Sequence, residues 1–175
     1  MTDFNLQDLP SNKVLSQYAE QFPEADVLSV ELCLSFLSVS RSVSDAYQVY
    51  YSKYGLSLNK FNILMLLYRA PNHELFPSEL ANSAGLTRGT ITGILDGLEK
   101  QEWIKRKHSL VDRRKLTITL TDNGTKRLVQ MLPDHYYRTS ALMDKLSKEE
   151  KESLKGILNK IHEGTSVLYE KEEEI

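Results

Sequence analysis

Cysteine is nearly absent: Cys33 is the single one in 175 residues. That excludes an internal disulfide and any zinc site built on several thiolates, and it suits a reducing compartment. Long hydrophobic runs are missing too. The longest unbroken one, residues 63–68, falls far short of the ~20 residues that span a bilayer. The N-terminus opens with acids and has no apolar segment of the kind that directs export. The expectation is a cytoplasmic protein without membrane contact. Formal charge is also low, with 22 Lys and Arg against 24 Asp and Glu, so the surface as a whole is no polycation. Catalytic signatures are lacking as well. There is no Gly-x-Ser-x-Gly elbow, no glycine-rich phosphate loop and no His-Glu-x-x-His, and His73, His108, His135 and His162 lie far apart. No enzyme, metal or cofactor is expected.

What is present is an uneven distribution of charge. Residues 76–127 hold ten Lys and Arg against six acids, whereas 1–75 hold five against eight and 128–175 seven against ten. A basic middle between acidic flanks is the pattern of a nucleic-acid-reading lobe on a partner-binding frame. Residues 1–25, interrupted by Pro10 and Pro23, read as an extension with one short helix. From Asp26 the apolar spacing through Val27, Val30, Leu34, Leu37, Tyr47, Tyr50, Tyr51 and Tyr54 predicts a helix of roughly 42 Å, closed by Gly55. One small lobe cannot bury that length. Residues 58–69 are apolar nearly all round, which predicts a helix at the centre of a core; Pro71 ends it.

Two short helices follow. Pro77 opens the first, Leu80 and Ala81 face inward, and Gly85 breaks it. Thr87 then has the side chain to cap a second, with Ile91, Ile94, Leu95 and Leu98 as its buried stripe. Two helices on a tight glycine turn form a helix-turn-helix. After Glu102 the period changes to two. Residues 103–108 and 115–120 predict a hairpin, with Leu116, Ile118 and Leu120 facing the core and residues 109–114 as a charged connection. A further helix starts at Thr121 or Asp122 and is expected to kink or break at Pro133. Ser147 caps a last helix carrying Leu154, Ile157, Leu158, Ile161, Val167 and Leu168 on one stripe. Outside a small lobe such a stripe needs a partner, most economically a second copy of the chain. The fold class is therefore mainly α with a small β-hairpin wing: a winged helix-turn-helix lobe at 57–127, a helical dimerisation region at 26–56 and 128–175, and the extension at 1–25.

With Ser78-Glu79-Leu80-Ala81, Thr90-Ile91-Thr92-Gly93-Ile94-Leu95-Asp96, Leu98-Glu99, Asp112-Arg113-Arg114 and Leu120-Thr121-Asp122-Asn123-Gly124 in this order, the chain resembles the MarR family of bacterial transcription regulators over roughly residues 27–161. The resemblance implies a homodimer whose first and last helices interlock, with two winged lobes reading a pseudo-palindrome in double-stranded DNA. It also implies that Arg114 enters the minor groove while Asp112 supports the wing by ion pairing. Two positions depart from the family pattern: Phe76 stands where a capping Thr is common, and Gln101-Glu102 where a Gly is common.

The second helix would lie in the major groove. Arg88, Thr90 and Thr92 lie off its apolar stripe, Gly89 and Gly93 permit close approach, and Ser78 and Thr87 border the same surface. A guanidinium can fork onto guanine, and a threonine offers a hydroxyl or a methyl. Arg106, Arg113 and Arg114 supply cations on the wing. With no separate ligand domain, a small aromatic or anionic effector would be sensed among Tyr47, Tyr51, Phe61, Met65 and Tyr68, although rings at this spacing are also ordinary core. Cys33, Arg41 and Tyr47 share the spacing of relatives that sense organic hydroperoxides, which makes a peroxide-sensing regulator one alternative. Leu37 and Leu58 replace that pattern's other tyrosines, so a buried, inert cysteine is the favoured reading. The other alternative is a winged helix used for protein contact without DNA.

Overall fold

The fold comes from a computed structural model that describes residues 10–108 and 116–169. In chain order the elements are α1 (Asn12–Gln21), α2 (Val27–Ser52), α3 (Leu58–Arg69), β1 (Glu74–Leu75), α4 (Pro77–Ala84), α5 (Arg88–Lys100), β2 (Ile104–His108), β3 (Leu116–Leu120), α6 (Asp122–Leu142) and α7 (Lys148–Gly164). They form two compact units, with the boundary between Gly124 and Thr125.

The core of the first unit is built on α3. Ile63, Leu64 and Leu67 have no exposed surface and Phe61 is buried beside them, and the helix packs against α2, α4, α5 and β3. Ser57 caps it, accepting from the Lys60 N–H at 3.2 Å. Its entry is tied down from two sides. The Gln48 side chain accepts from the Leu58 N–H at 3.1 Å, and Gln101 joins the Lys60 ammonium at 3.3 Å to the Gly55 carbonyl at 3.1 Å. Leu80 and Ala81 of α4 and Ile91, Leu95 and Leu98 of α5 close the core, as their spacing requires.

The three strands form one antiparallel sheet in the order β1-β3-β2. Arg106 stands opposite Ile118 and Ile104 opposite Leu120. β1 was not anticipated from sequence. It is only two residues long, pairs Glu74 with Thr119 and Leu75 with Ile118, and shows too little alternation to be read. The first hairpin strand begins at Ile104 rather than Trp103, because the Trp103 N–H still closes the end of α5 by bonding Leu98 O at 3.0 Å.

α2 begins at Asp26, whose carboxylate accepts from the Leu28 N–H at 3.1 Å and the Ser29 hydroxyl at 2.5 Å. The Ser29 hydrogen bond holds that carboxyl below its ordinary range. Interspersed serines hide how apolar α2 is. Its 18-residue window has mean hydropathy 1.4, long and apolar enough by length and composition to cross a membrane, and none of that window is buried. Leu28, Leu32, Phe36, Leu37 and Val39 are all exposed on it. α1 lies against α2.

α6 continues through Pro133, so the proline does not interrupt the helix. The proline removes one N–H and leaves the carbonyl of Val129, four residues earlier, without its helical donor. Val129 is exposed, so water can satisfy that oxygen and the helix need not stop. α7 carries the expected cap: Ser147 accepts from the Glu150 N–H at 3.2 Å, and Glu150 accepts from the Ser147 N–H at 2.7 Å. None of its residues is buried, and Ile157, Leu158 and Ile161 are exposed.

Two backbone positions near the hinge between wing and helices make opposite demands. Glu102 has φ +61°, a left-handed conformation that costs a side-chain-bearing residue about 1–2 kcal/mol. Replacement by glycine removes that cost and loosens the unfolded chain by about 0.4–1 kcal/mol. Glu102→Gly should therefore raise stability by about 0.5–1 kcal/mol. At Gly124 a Cβ would stand 2.0 Å from the Trp103 carbonyl oxygen, so Gly124→Ala should destabilise by about 1–3 kcal/mol or more. Urea unfolding of the two variants beside the parent checks both signs.

Candidate nucleic-acid interface

α4 and α5 are held in place by their ends. α4 starts at Pro77, whose missing N–H is no loss at a first helical position. Phe76 cannot cap it, but the Glu79 carboxylate reaches back to the Phe76 N–H at 2.7 Å, so one half of a capping box survives. The helix ends at Gly85, φ +64°, where the Leu86 N–H bonds Ala81 O at 2.9 Å. α5 ends in the same closure, with Glu102 in the left-handed position, the Trp103 N–H on Leu98 O and the Glu102 N–H on Glu99 O at 2.8 Å. Sequence reading flagged 101–102 only as a missing glycine; the backbone shows that glycine's conformation adopted by Glu102.

At the start of α5 the Thr87 hydroxyl oxygen accepts from the Thr90 N–H at 3.2 Å and lies 2.9 Å from the Thr90 hydroxyl. Thr92 donates its hydroxyl to the Arg88 carbonyl at 2.8 Å, which leaves its methyl and the oxygen's two lone pairs uncommitted by that bond. Ile91, Leu95 and Leu98 are buried, while Thr87, Arg88, Gly89, Thr90, Thr92 and Gly93 are exposed. A Cβ built at Gly89 or Gly93 meets nothing within 4 Å. Nothing inside the fold calls for glycine at either site. Exposed Ser78 shares with Arg88 and Thr92 the wall of a shallow cavity of about 560 Å³ floored by Phe76, Pro77 and Ile91. Of the residues predicted on α4 and α5, Ser78, Arg88 and Thr92 thus meet at one cavity.

Asp112, Arg113 and Arg114 lie outside the described residues. Arg106 does not stand as a free wing cation. Its guanidinium contacts Asp96 at 2.5 Å and Glu99 at 2.6 Å, and its backbone N–H donates to the same Glu99 carboxylate at 3.2 Å. The hydrogen bond to Asp96 outweighs desolvation and stabilises the guanidinium's charged form further. Lys105 and Lys107, one residue to either side, are exposed and hold no ion pair among the described residues. The sequence carried a signal for this arrangement in the i, i+3 spacing of Asp96 and Glu99, but the partner on β2 is non-local.

The rings chosen for an effector site pack largely on one another. Tyr51 stacks on Phe61 with centroids 4.3 Å apart and on Tyr47 at 5.7 Å, and both Tyr51 and Phe61 are buried. Burial pushes the Tyr51 hydroxyl well above its ordinary pKa. Met65 and Tyr68 are half-buried, and Tyr68 stacks on His73. Cys33 is exposed on α2, not buried as favoured from sequence, and Leu32, Phe36 and Leu37 near it are exposed too. Arg41 pairs with Asp45 at 3.7 Å.

A helix-turn-helix with an antiparallel hairpin beside its second helix defines a winged-helix protein. Comparison with known proteins narrows the class. The MarR family model matches residues 56–116. The chain is 41% identical over 162 residues to the HTH-type transcriptional repressor YetL of Bacillus subtilis (strain 168), spanning 93% of this chain and 97% of that protein. It is 30% identical to the HTH-type transcriptional regulator PecS of Dickeya dadantii (strain 3937), over 87% and 93% of the two chains. Among solved structures it is similar to Sco3205, a MarR family transcriptional regulator from Streptomyces coelicolor in complex with DNA, with TM-score 0.70, 27% identity and 76% and 84% of the chains covered. The chain belongs to the MarR family of transcription regulators, which are not enzymes.

The cap on α5 orders the first turn, where the polar residues sit. Thr87→Ala should cost about 1 kcal/mol of stability, seen as a lower thermal midpoint with an unchanged far-ultraviolet circular dichroism spectrum below the transition.

Proposed function

We propose that the chain is a cytoplasmic MarR-type repressor that binds a pseudo-palindromic operator in double-stranded DNA as a homodimer and is released by a small aromatic or anionic effector. The observation that carries the reading is the division of α5. Its apolar stripe anchors the helix, while Arg88, Thr90, Thr92 and two sterically unconstrained glycines share the exposed side. Two glycines in a helix interior cost about 1 kcal/mol each against alanine, and inside the fold they relieve no contact. Close approach by a phosphate backbone or base edges explains them. Arg88 forks onto a guanine, and the outward Thr92 methyl suits a thymine. The names of YetL as a repressor and of Sco3205 as a DNA complex support the same direction.

The second copy is argued from uncovered apolar surface. α2 exposes a row of large hydrophobic side chains, and in the second unit α7 buries none of its residues. A bilayer could cover α2 alone; relatives that are transcription regulators and the second apolar stripe on α7 favour another copy of this chain. The effector would enter near Met65 and Tyr68, at the incompletely buried edge of the aromatic cluster.

Mobility-shift titration with duplexes enriched from a random pool by the wild-type protein tests DNA reading. Binding should be sequence-selective and fall by orders of magnitude between about 50 and 200 mM salt. Gly93→Ala should bind the same duplex at least tenfold more weakly while melting at a higher temperature. Weak, sequence-blind binding at all salt concentrations would leave a protein-contact module instead. Sedimentation should give a dimer, and Leu32→Asp with Ile157→Asp should shift it to monomer with loss of selective binding.

A further inference from the structure

The guanidinium of Arg106 is the most covered member of its cluster, with 25% of the side chain exposed against 59% for Asp96 and 38% for Glu99. Asp96 and Glu99 lie three residues apart and so share one face of α5. Arg106 is the third residue of β2, and strand alternation turns it to the face opposite Lys105 and Lys107. Glu99 binds both the Arg106 side chain and its backbone N–H, so the clamp fixes the strand itself and not only a long side chain. Isolated surface ion pairs contribute little. Here one guanidinium meets two carboxylates, and a main-chain donor shares one of them, which is the geometry in which such pairs carry positional information.

We propose that Arg106 is a positioning residue that sets the pose of the wing against the recognition helix through Asp96 and Glu99, and is not itself a phosphate contact. The inference rests on the DNA-reading function above. Lys105 and Lys107, on the other face, are then the strand's cations available to phosphate, and the clamp decides where they stand relative to Arg88, Thr90 and Thr92.

Electrostatics alone and a mechanical clamp predict opposite signs for one experiment. Asp96 and Glu99 place two negative charges per subunit on a helix that faces a polyanion, and with Arg106 they leave a net negative cluster. Removing them should tighten binding to any duplex if charge is all that matters, and more so if it releases Arg106 to reach phosphate. If the clamp orients the wing, the same removal weakens binding to the selected operator despite the favourable change in charge.

The test uses full-length Asp96→Ala/Glu99→Ala and, beside it, Asp96→Asn/Glu99→Gln, which keeps acceptor oxygens. Each is titrated against the duplex selected by the wild-type protein and against a scrambled duplex of equal length, with thermal midpoints measured in parallel. The alanine variant should lose about tenfold on the selected duplex and hold or gain affinity on the scrambled one. The amide variant should recover part of the loss. Equal or tighter binding to the selected duplex overturns the proposal. So does an equal loss on both duplexes, which marks general damage; if the alanine variant does not fold, the amide variant is read by the same criteria. A wild-type protein that selects no duplex from the pool indicts the DNA-reading function and not the clamp.

Discussion

The placement of the helix-turn-helix and of the sheet beside it depends on the burial of α3. Ile63, Leu64 and Leu67 expose nothing to solvent, and each fully buried side chain of this size contributes roughly 1.5–3 kcal/mol. Because α2, α4, α5 and β3 all rest on this one helix, it fixes the angle between the two helices of the reading motif and the place of the sheet beside them. The polar ties at its entry, through Gln48 and Gln101, orient it about its axis. They cost little, since they sit at the edge of the core where water can substitute.

Upon that base, α5 separates two tasks by face. The inner stripe is committed to packing and is insensitive to what lies outside. The outer face spends helix propensity on glycine and carries side chains that serve the fold only at its margin, as Thr87 does by accepting from the Thr90 N–H and Thr92 by donating to the Arg88 carbonyl. Asp96 and Glu99 continue the row of Arg88 and Thr92 at helical spacing toward the end of α5, where they meet Arg106 of β2. The last two turns of the helix thereby take part in the wing through Arg106, and α5 and β2 are coupled by charge as well as by direct packing.

The sequence carried the helices and the order of the lobe because those signals are local. Pro77, Gly85 and Thr87 mark ends, and the period of three to four around Ile91, Leu95 and Leu98 marks the face. It did not carry β1, which exists only because β3 offers it two partners. Pro133 does not end α6, because whether a proline stops a helix depends on whether the orphaned carbonyl can find water, and Val129 is exposed. Arg106 looked like one wing cation among several, since its carboxylate partners lie seven and ten residues earlier in a different element. Cys33 was judged by the apolar pattern around it, which locates a sticky face but not whether that face is covered within the chain. Of the residues proposed to read DNA, those on α4 and α5 are exposed as the cap and the stripe together predict; Asp112, Arg113 and Arg114 fall outside the described residues.

The closures at the two ends of α5 have a consequence for how such a protein can change over time. Thr87 fixes where the helix begins and the left-handed Glu102 where it stops, so its thirteen residues have a set length. One inserted residue would turn everything beyond it by about 100°, carrying Asp96 and Glu99 off the hairpin and Leu98 out of the interior. If the proposed reading surface is right, a new target site arises by exchanges at exposed positions such as 88, 90 and 92, and insertions or deletions within this segment should be purged, so descendants will differ in letters there but not in spacing.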